Sequence, residues 1–248
     1  MQDRYVGDVG DFGKYGLLRL LARQTELRLA VVWYLYGDES HNEDGRHVSY
    51  LSKPEFALPD AELHLKLDGL VRKNKRSVRA VERAGILPPD TLFFGGRISD
   101  PEGRPTGRRL RAASRLSWVK RAVRSSVEAD LVFFDPDNGL ETASVQRHSP
   151  KSGKYVYWEE LLPFWQRGQS LLIYHHLNRT GPIDRQAAFL REKFEDRFPD
   201  AGLLRFFLFR KGSCRHFWLV AQERHVEAFL RATGNLLQSD WREYFEVG

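Results

Sequence analysis

The chain reads as an α/β protein with a mostly parallel central sheet, helices on both faces and an antiparallel hairpin toward its C-terminus. Three observations carry that reading. Helix-like and strand-like apolar periods alternate along the chain. The strand candidates are continuous apolar runs, as strands covered on both faces require. Several of those runs stop abruptly at polar residues. A length of 248 residues suits one such unit, so one domain over 1–248 is expected, with a basic helical and loop insertion around 60–125.

Gly13 to Arg23 carries Leu17, Leu18, Leu20 and Leu21 and predicts the first helix, and Leu29 to Leu35 follows as a buried strand. Ser40 to Pro59 is polar and broken; Asp68 to Ala84 then reads as a basic helix and Thr91 to Phe94 as a short strand ended by Gly95 and Gly96. Asp100 to Thr106 holds Pro, Gly and charges without periodicity, which predicts a loop able to shift when substrate binds. Ser114 is placed to cap a helix whose Leu116, Val119, Val123 and Val127 share one face, the other face being basic. Asp130 to Phe134 is a compact apolar strand halted at Asp135-Pro136, because proline cannot donate to a ladder. Ser170 to Tyr174 repeats the pattern and stops at His175-His176, and Pro182 opens a helix carrying Ile183, Leu190, Phe194 and Phe198. Leu203 to Phe209 and His216 to Ala221 flank a polar, Gly-containing stretch and predict the hairpin.

Apolar residues make up 42% and aromatics 12%, which supplies a core and does not suit a disordered chain. The single cysteine, Cys214, excludes an internal disulfide framework and a Cys-based zinc site and fits a reducing cytosol. Met1 to Asp8 has no apolar core behind a basic start, and no run of about 18 uncharged apolar residues exists, so neither secretion nor membrane insertion is expected. A cytoplasmic location is expected.

The formal charge is +6 and the pI about 9.5, and its distribution is uneven. Arg104, Arg108, Arg109, Arg111, Arg115, Lys120, Arg121 and Arg124 follow one another with no Asp or Glu among them, and Arg72, Lys73, Lys75, Arg76 and Arg79 form a second cluster. Phosphate is the natural polyanionic partner, since its neutralisation releases counterions. A nucleic acid, DNA or RNA, is therefore the expected partner, contacted by Arg108, Arg109, Arg111, Lys120, Arg121 and Lys154. A solvated basic helix face is the plain alternative.

In open α/β sheets ligands bind beyond the carboxyl ends of the strands. Three such ends carry polar residues: Asp38 and Glu39, Asp135 to Asn138, and His175, His176 and Asn178. Asp135-Pro136-Asp137-Asn138-Gly139 is also a set of turn formers. At a strand end its carbonyls and carboxylates can accept from an exocyclic amine. His175 and His176 are candidates for a base or ligand, and the run Tyr155, Tyr157 and Trp158 for stacking on a base. Neither His41, His47 and His64 nor Cys214 forms an arrangement that points to chemistry.

Two segments carry a family resemblance. Gly7-Asp8-Val9-Gly10-Asp11-Phe12-Gly13-Lys14-Tyr15 resembles the Gly-Asn-x-x-Asp-Val-x-Lys-His segment of the S-adenosylmethionine-dependent large-subunit ribosomal RNA adenine-N6 methyltransferases, and Phe134-Asp135-Pro136-Asp137-Asn138 is similar to their Asp-Pro-Pro-Tyr motif. The resemblance implies a Rossmann-like methyltransferase fold and transfer of a methyl group to a base amine. It implies S-adenosylmethionine near Gly7, Asp8, Asp11, Lys14 and Asp38, and the amine near Asp135, Asp137 and Asn138. Asn138 stands where the family has a stacking aromatic, and the stretch after the first strand has Gly37 and Gly45 but no tight Gly cluster. Two other readings stay open. One is a Mg²⁺-dependent nuclease or phosphodiesterase using Asp135, Asp137 and Glu141 as metal ligands with Lys154 at the phosphate. The other is an inactive nucleic-acid-binding protein on the same fold.

Overall fold

Continuous Leu, Val, Ile and Phe runs favour strands sandwiched between two helical layers, and a computed structural model of the chain has that arrangement. It describes residues 1–37, 45–98, 107–178, 181–212 and 214–248. In chain order the helices and strands are α1 (Val9–Thr25), β1 (Leu29–Trp33), α2 (Ala61–Arg72), α3 (Val78–Arg83), β2 (Leu92–Phe94), α4 (Arg108–Ser125), β3 (Leu131–Asp135), β4 (Gly139–Leu140), β5 (Tyr155–Val156), α5 (Trp158–Trp165), β6 (Ser170–His176), α6 (Ile183–Arg197), β7 (Leu203–Phe209), β8 (Arg215–Ala221), α7 (Val226–Gln238) and β9 (Phe245–Val247).

Seven strands form one sheet in the order β2-β1-β3-β6-β8-β7-β9. The first four are parallel, β8 is antiparallel to both β6 and β7, and β9 is antiparallel to β7. The fold is mixed α/β, parallel in the core of the sheet and antiparallel at its C-terminal side. One face carries α1, α2, α3 and α7, packed on Val31, Trp33, Phe133, Leu172 and Phe217. The other carries α4, α5 and α6 on Val32, Phe134, Ile173 and Trp218. No helix among the described residues is long and apolar enough to cross a membrane.

Three expectations need correction. The first helix starts at Val9 rather than Gly13, because the Asp8 side chain caps it by accepting from Asp11 N. Its Gly10, Gly13 and Gly16 leave room for Arg215, Phe209 and Trp241, which lie where Cβ atoms would stand. The basic helix expected over Asp68 to Ala84 is two helices, interrupted where Asn74 takes a left-handed conformation at φ 50°. The helix assigned a Ser114 cap begins at Arg108, after Gly107. Its inward face is consequently Arg115, Trp118, Val119 and Ala122, whereas Leu116 and Val127 are exposed. The hairpin is present, with β8 starting one residue early, and β9 adds a further strand to it. Asp38, Glu39, His41, Arg104 and the loop expected over Asp100 to Thr106 lie outside the described residues.

Candidate functional site

The sheet reverses its direction of growth between β1 and β3, with β2 on one side and β6 on the other, and a crevice opens at such a reversal. Trp33 and Asp135 are the last paired residues there. Beyond them lies a cavity of about 340 Å³, within the size range of small-ligand sites. Its walls are the start of α1, the Asp135–Asn138 strand end, Tyr174 and His176 from β6, and Arg215 from β8.

The start of α1 shapes one wall. Asp8 accepts from Asp11 N at 2.9 Å, and Asp11 reaches back to accept from Gly7 N at 3.1 Å. Gly7 sits at φ 81°, in the left-handed region, with Val71 so close that a Cβ would meet it at 2.7 Å. One turn on, Lys14 Nζ lies 2.7 Å from Asp11 and 2.9 Å from Asp135. All three are almost fully buried, at 2–3% exposure. Burial raises the Asp11 and Asp135 carboxyls above the usual carboxylate range, against the lowering influence of Lys14. Burial also works to lower Lys14, but Asp11 and Asp135 outweigh it and hold the ammonium well above its ordinary value. The same ammonium lies over the rings of Tyr15 and Trp33.

The strand end shapes the second wall. The Met1 amine donates to Tyr34 O at 2.7 Å and Asp135 O at 3.3 Å and pairs with Asp137 Oδ1 at 2.5 Å. Gln2 Nε2 holds the other Asp137 oxygen at 2.6 Å. Asn138 is fixed by its backbone, donating to Lys154 O at 2.9 Å and accepting from His176 N at 3.2 Å. Neighbouring residues on β6 point to opposite faces, so His176 lines the cavity while His175 turns to the other side. There the Leu140 N–H donates to His175 Nδ1 at 3.1 Å. Burial, with His216 and His176 nearby, lowers its pKa to about 3, so His175 is neutral and structural.

The cavity therefore brings together Asp8, Asp11, Lys14, Asp135, Asp137 and Asn138. Gly7 supports it from behind. Glu141 stands apart: its carboxylate accepts from Trp158 N at 3.0 Å, at the start of α5. Among the described residues no group of three or more His, Cys, Asp or Glu side chains is placed to hold a metal ion. Lys154 lies over the Tyr36 ring, and Arg111 donates to His148 O. Arg115, counted among the unopposed charges, is buried against Glu160. Tyr157 and Trp158 are core residues, and Cys214 is half-buried.

The residue missed by sequence reasoning is Arg215, whose guanidinium occupies the space over Gly10. The spacing Gly10-x-x-Gly13-x-x-Gly16 is the signal that α1 is closely approached along one side. The chain matches no known family model, and no curated protein matches it.

Proposed function

We propose that the protein is an S-adenosylmethionine-dependent methyltransferase acting on an exocyclic amine of a nucleic-acid base, built on a Rossmann-like methyltransferase fold. The observation that carries this reading is a cavity at the reversal point of the sheet whose wall gathers Asp8, Asp11, Lys14, Asp135, Asp137 and Asn138. A site that methylates an amine needs such acceptors to orient the nitrogen and to stabilise the positive charge developing on it. The parallel strand core and the antiparallel C-terminal strands suit the proposed fold.

The cavity fits the cofactor by charge. A sulfonium and an ammonium call for carboxylates, which Asp8 and Asp11 supply, and a carboxylate calls for a cation, which Arg215 supplies. When bound, the cofactor would provide an electrophilic methyl group. Lys14 fixes the strand end by holding Asp135 Oδ2, so the amine contact falls to Asp137 and Asn138 on the cavity wall. Tyr5 and Tyr174 line the same cavity and are the aromatics available to a base, in place of the one absent at Asn138.

The test is transfer of labelled methyl from S-adenosylmethionine to RNA and DNA oligonucleotides. Asp137→Asn keeps the shape and removes the charge, and is expected to lower transfer by about a hundredfold while cofactor affinity holds. Asp135→Ala, which removes the partner that positions Lys14, is expected to abolish it. Unchanged turnover in both variants contradicts the reading.

A further inference from the structure

The basic stretch of α4 has two ends with different physics. Lys120, Arg121 and Arg124 are exposed in its C-terminal half, and Arg124 stands in the last turn, where positive charge complements the helix dipole. Arg108, Arg109 and Arg111 stand in the first turn, where the dipole opposes them. That turn has no acidic residue, and its Gly107 cap supplies no side-chain acceptor. α1, α2, α5, α6 and α7 each open with at least one Asp or Glu.

The segment leading to β5 brings more cations to the same place. Arg111 donates to His148 O, and Arg147 pairs with Glu159. Arg108, Arg109 and Lys151 are exposed, without an acidic partner among the described residues. Burial, followed by Arg147, Arg108, Arg115 and Arg111, lowers the pKa of His148, which shows how closely these charges gather. His148 Nδ1 and Ser149 Oγ are buried there with no hydrogen-bond partner. The patch also adjoins the cavity. Lys154 O accepts from Asn138 N, Lys154 Nζ lies 5.1 Å from the Tyr36 ring centre, and Tyr36 N donates to Met1 O. Arg121 lies thirteen residues beyond Arg108, about 20 Å along the helix.

We infer that the phosphate backbone of a nucleic acid docks on the patch formed by the first turn of α4 and residues 147–154, and that the C-terminal half of α4 takes no part. This rests on the reading of the substrate as nucleic acid, though not on the transfer of a methyl group. Arg and Lys contacts to phosphate supply affinity that falls steeply with salt, and the patch would lead the strand to the cavity edge at Asn138.

The experiment is fluorescence anisotropy of a short labelled single strand, as DNA and as RNA, titrated with the full chain over a range of salt. One variant carries Arg108→Gln, Arg109→Gln and Lys151→Gln; the other carries Lys120→Gln, Arg121→Gln and Arg124→Gln. Both remove three exposed positive charges. The first is expected to bind about tenfold or more weakly, with a salt dependence shallower by about two to three, and the second to stay within about threefold of the unaltered protein. Tighter binding of one strand type identifies the backbone. Equal weakening in both variants, or no binding by the unaltered protein, overturns the proposal. Binding that depends on the first set of residues without any methyl transfer supports the docking patch and counts against the reaction.

Discussion

Two buried cation–carboxylate clusters lie on opposite faces of the sheet, and they are built differently. Under α4, Arg115 spends its guanidinium on Glu160, Ser152 O and Tyr155 O, while Glu160 also accepts from Tyr34 OH and Tyr157 N. That network is closed, and its task is to tie α4, α5 and the segment before β5 together. Under α1, Lys14 bridges Asp11 and Asp135 on the wall of a cavity. Both carboxyls there are raised by burial. A closed cluster serves the fold, and a cluster on a cavity wall is available to a ligand.

Removing one partner from the closed cluster is expected to have the largest effect. Arg115→Met leaves Glu160 buried and uncompensated and is expected to cost about 3–5 kcal/mol in urea denaturation. Lys14→Met is expected to cost less, about 1–3 kcal/mol, because the two carboxyls it leaves, already raised by burial, can take up protons. Without Lys14 the two carboxyls rise further, so the folded variant holds protons that the unfolded chain releases. Its deficit should therefore be small at about pH 5 and larger at about pH 8. A deficit that does not change with pH would contradict the part given to Asp11 and Asp135.

The glycine side of α1 sharpens the contrast between fold and site. A Cβ at Gly16 would stand 2.0 Å from the Trp241 ring, and Gly16→Ala is expected to lower stability by about 1–3 kcal/mol. At Gly10 the obstacle is the end of the Arg215 side chain, which can move. Gly10→Ala should stay folded and bind cofactor about tenfold more weakly, as calorimetry would read.

At neutral pH the smallest effect is expected on the other face, at His216, whose contribution changes only in acid. It lies between Phe206 and Trp218 with neither ring nitrogen partnered, and burial together with Arg210 lowers its pKa from 6.5 to about 4. The folded state then takes up fewer protons than the unfolded chain. Its contribution is full above pH 6.5 and is lost as pH falls toward about 4. His216→Phe should make the acid loss of stability shallower by roughly 1.4 kcal/mol per pH unit in that window.

Much of this architecture is legible in the sequence. The strands are bulky apolar runs with sharp ends, and Asp135-Pro136 marks the end of β3 because proline cannot extend the ladder. The start of α4 was hidden because Gly107 offers no capping side chain, and the late Ser114 shifted the inferred inward face from Trp118 and Ala122 to Leu116 and Val127. The pairing of Arg115 with Glu160 spans 45 residues, so a local charge count left Arg115 among the unopposed cations. Arg215 was equally hidden, since its place over Gly10 depends on how β8 inserts between β6 and β7.

The most direct test of the central claim is calorimetric titration of S-adenosylmethionine into the unaltered protein and into Lys14→Met. The account predicts micromolar binding to the first and a loss of about tenfold or more in the second, because Lys14 holds together the cavity wall formed by Asp11 and Asp135. No heat with the unaltered protein, or equal affinity in the two, would contradict it.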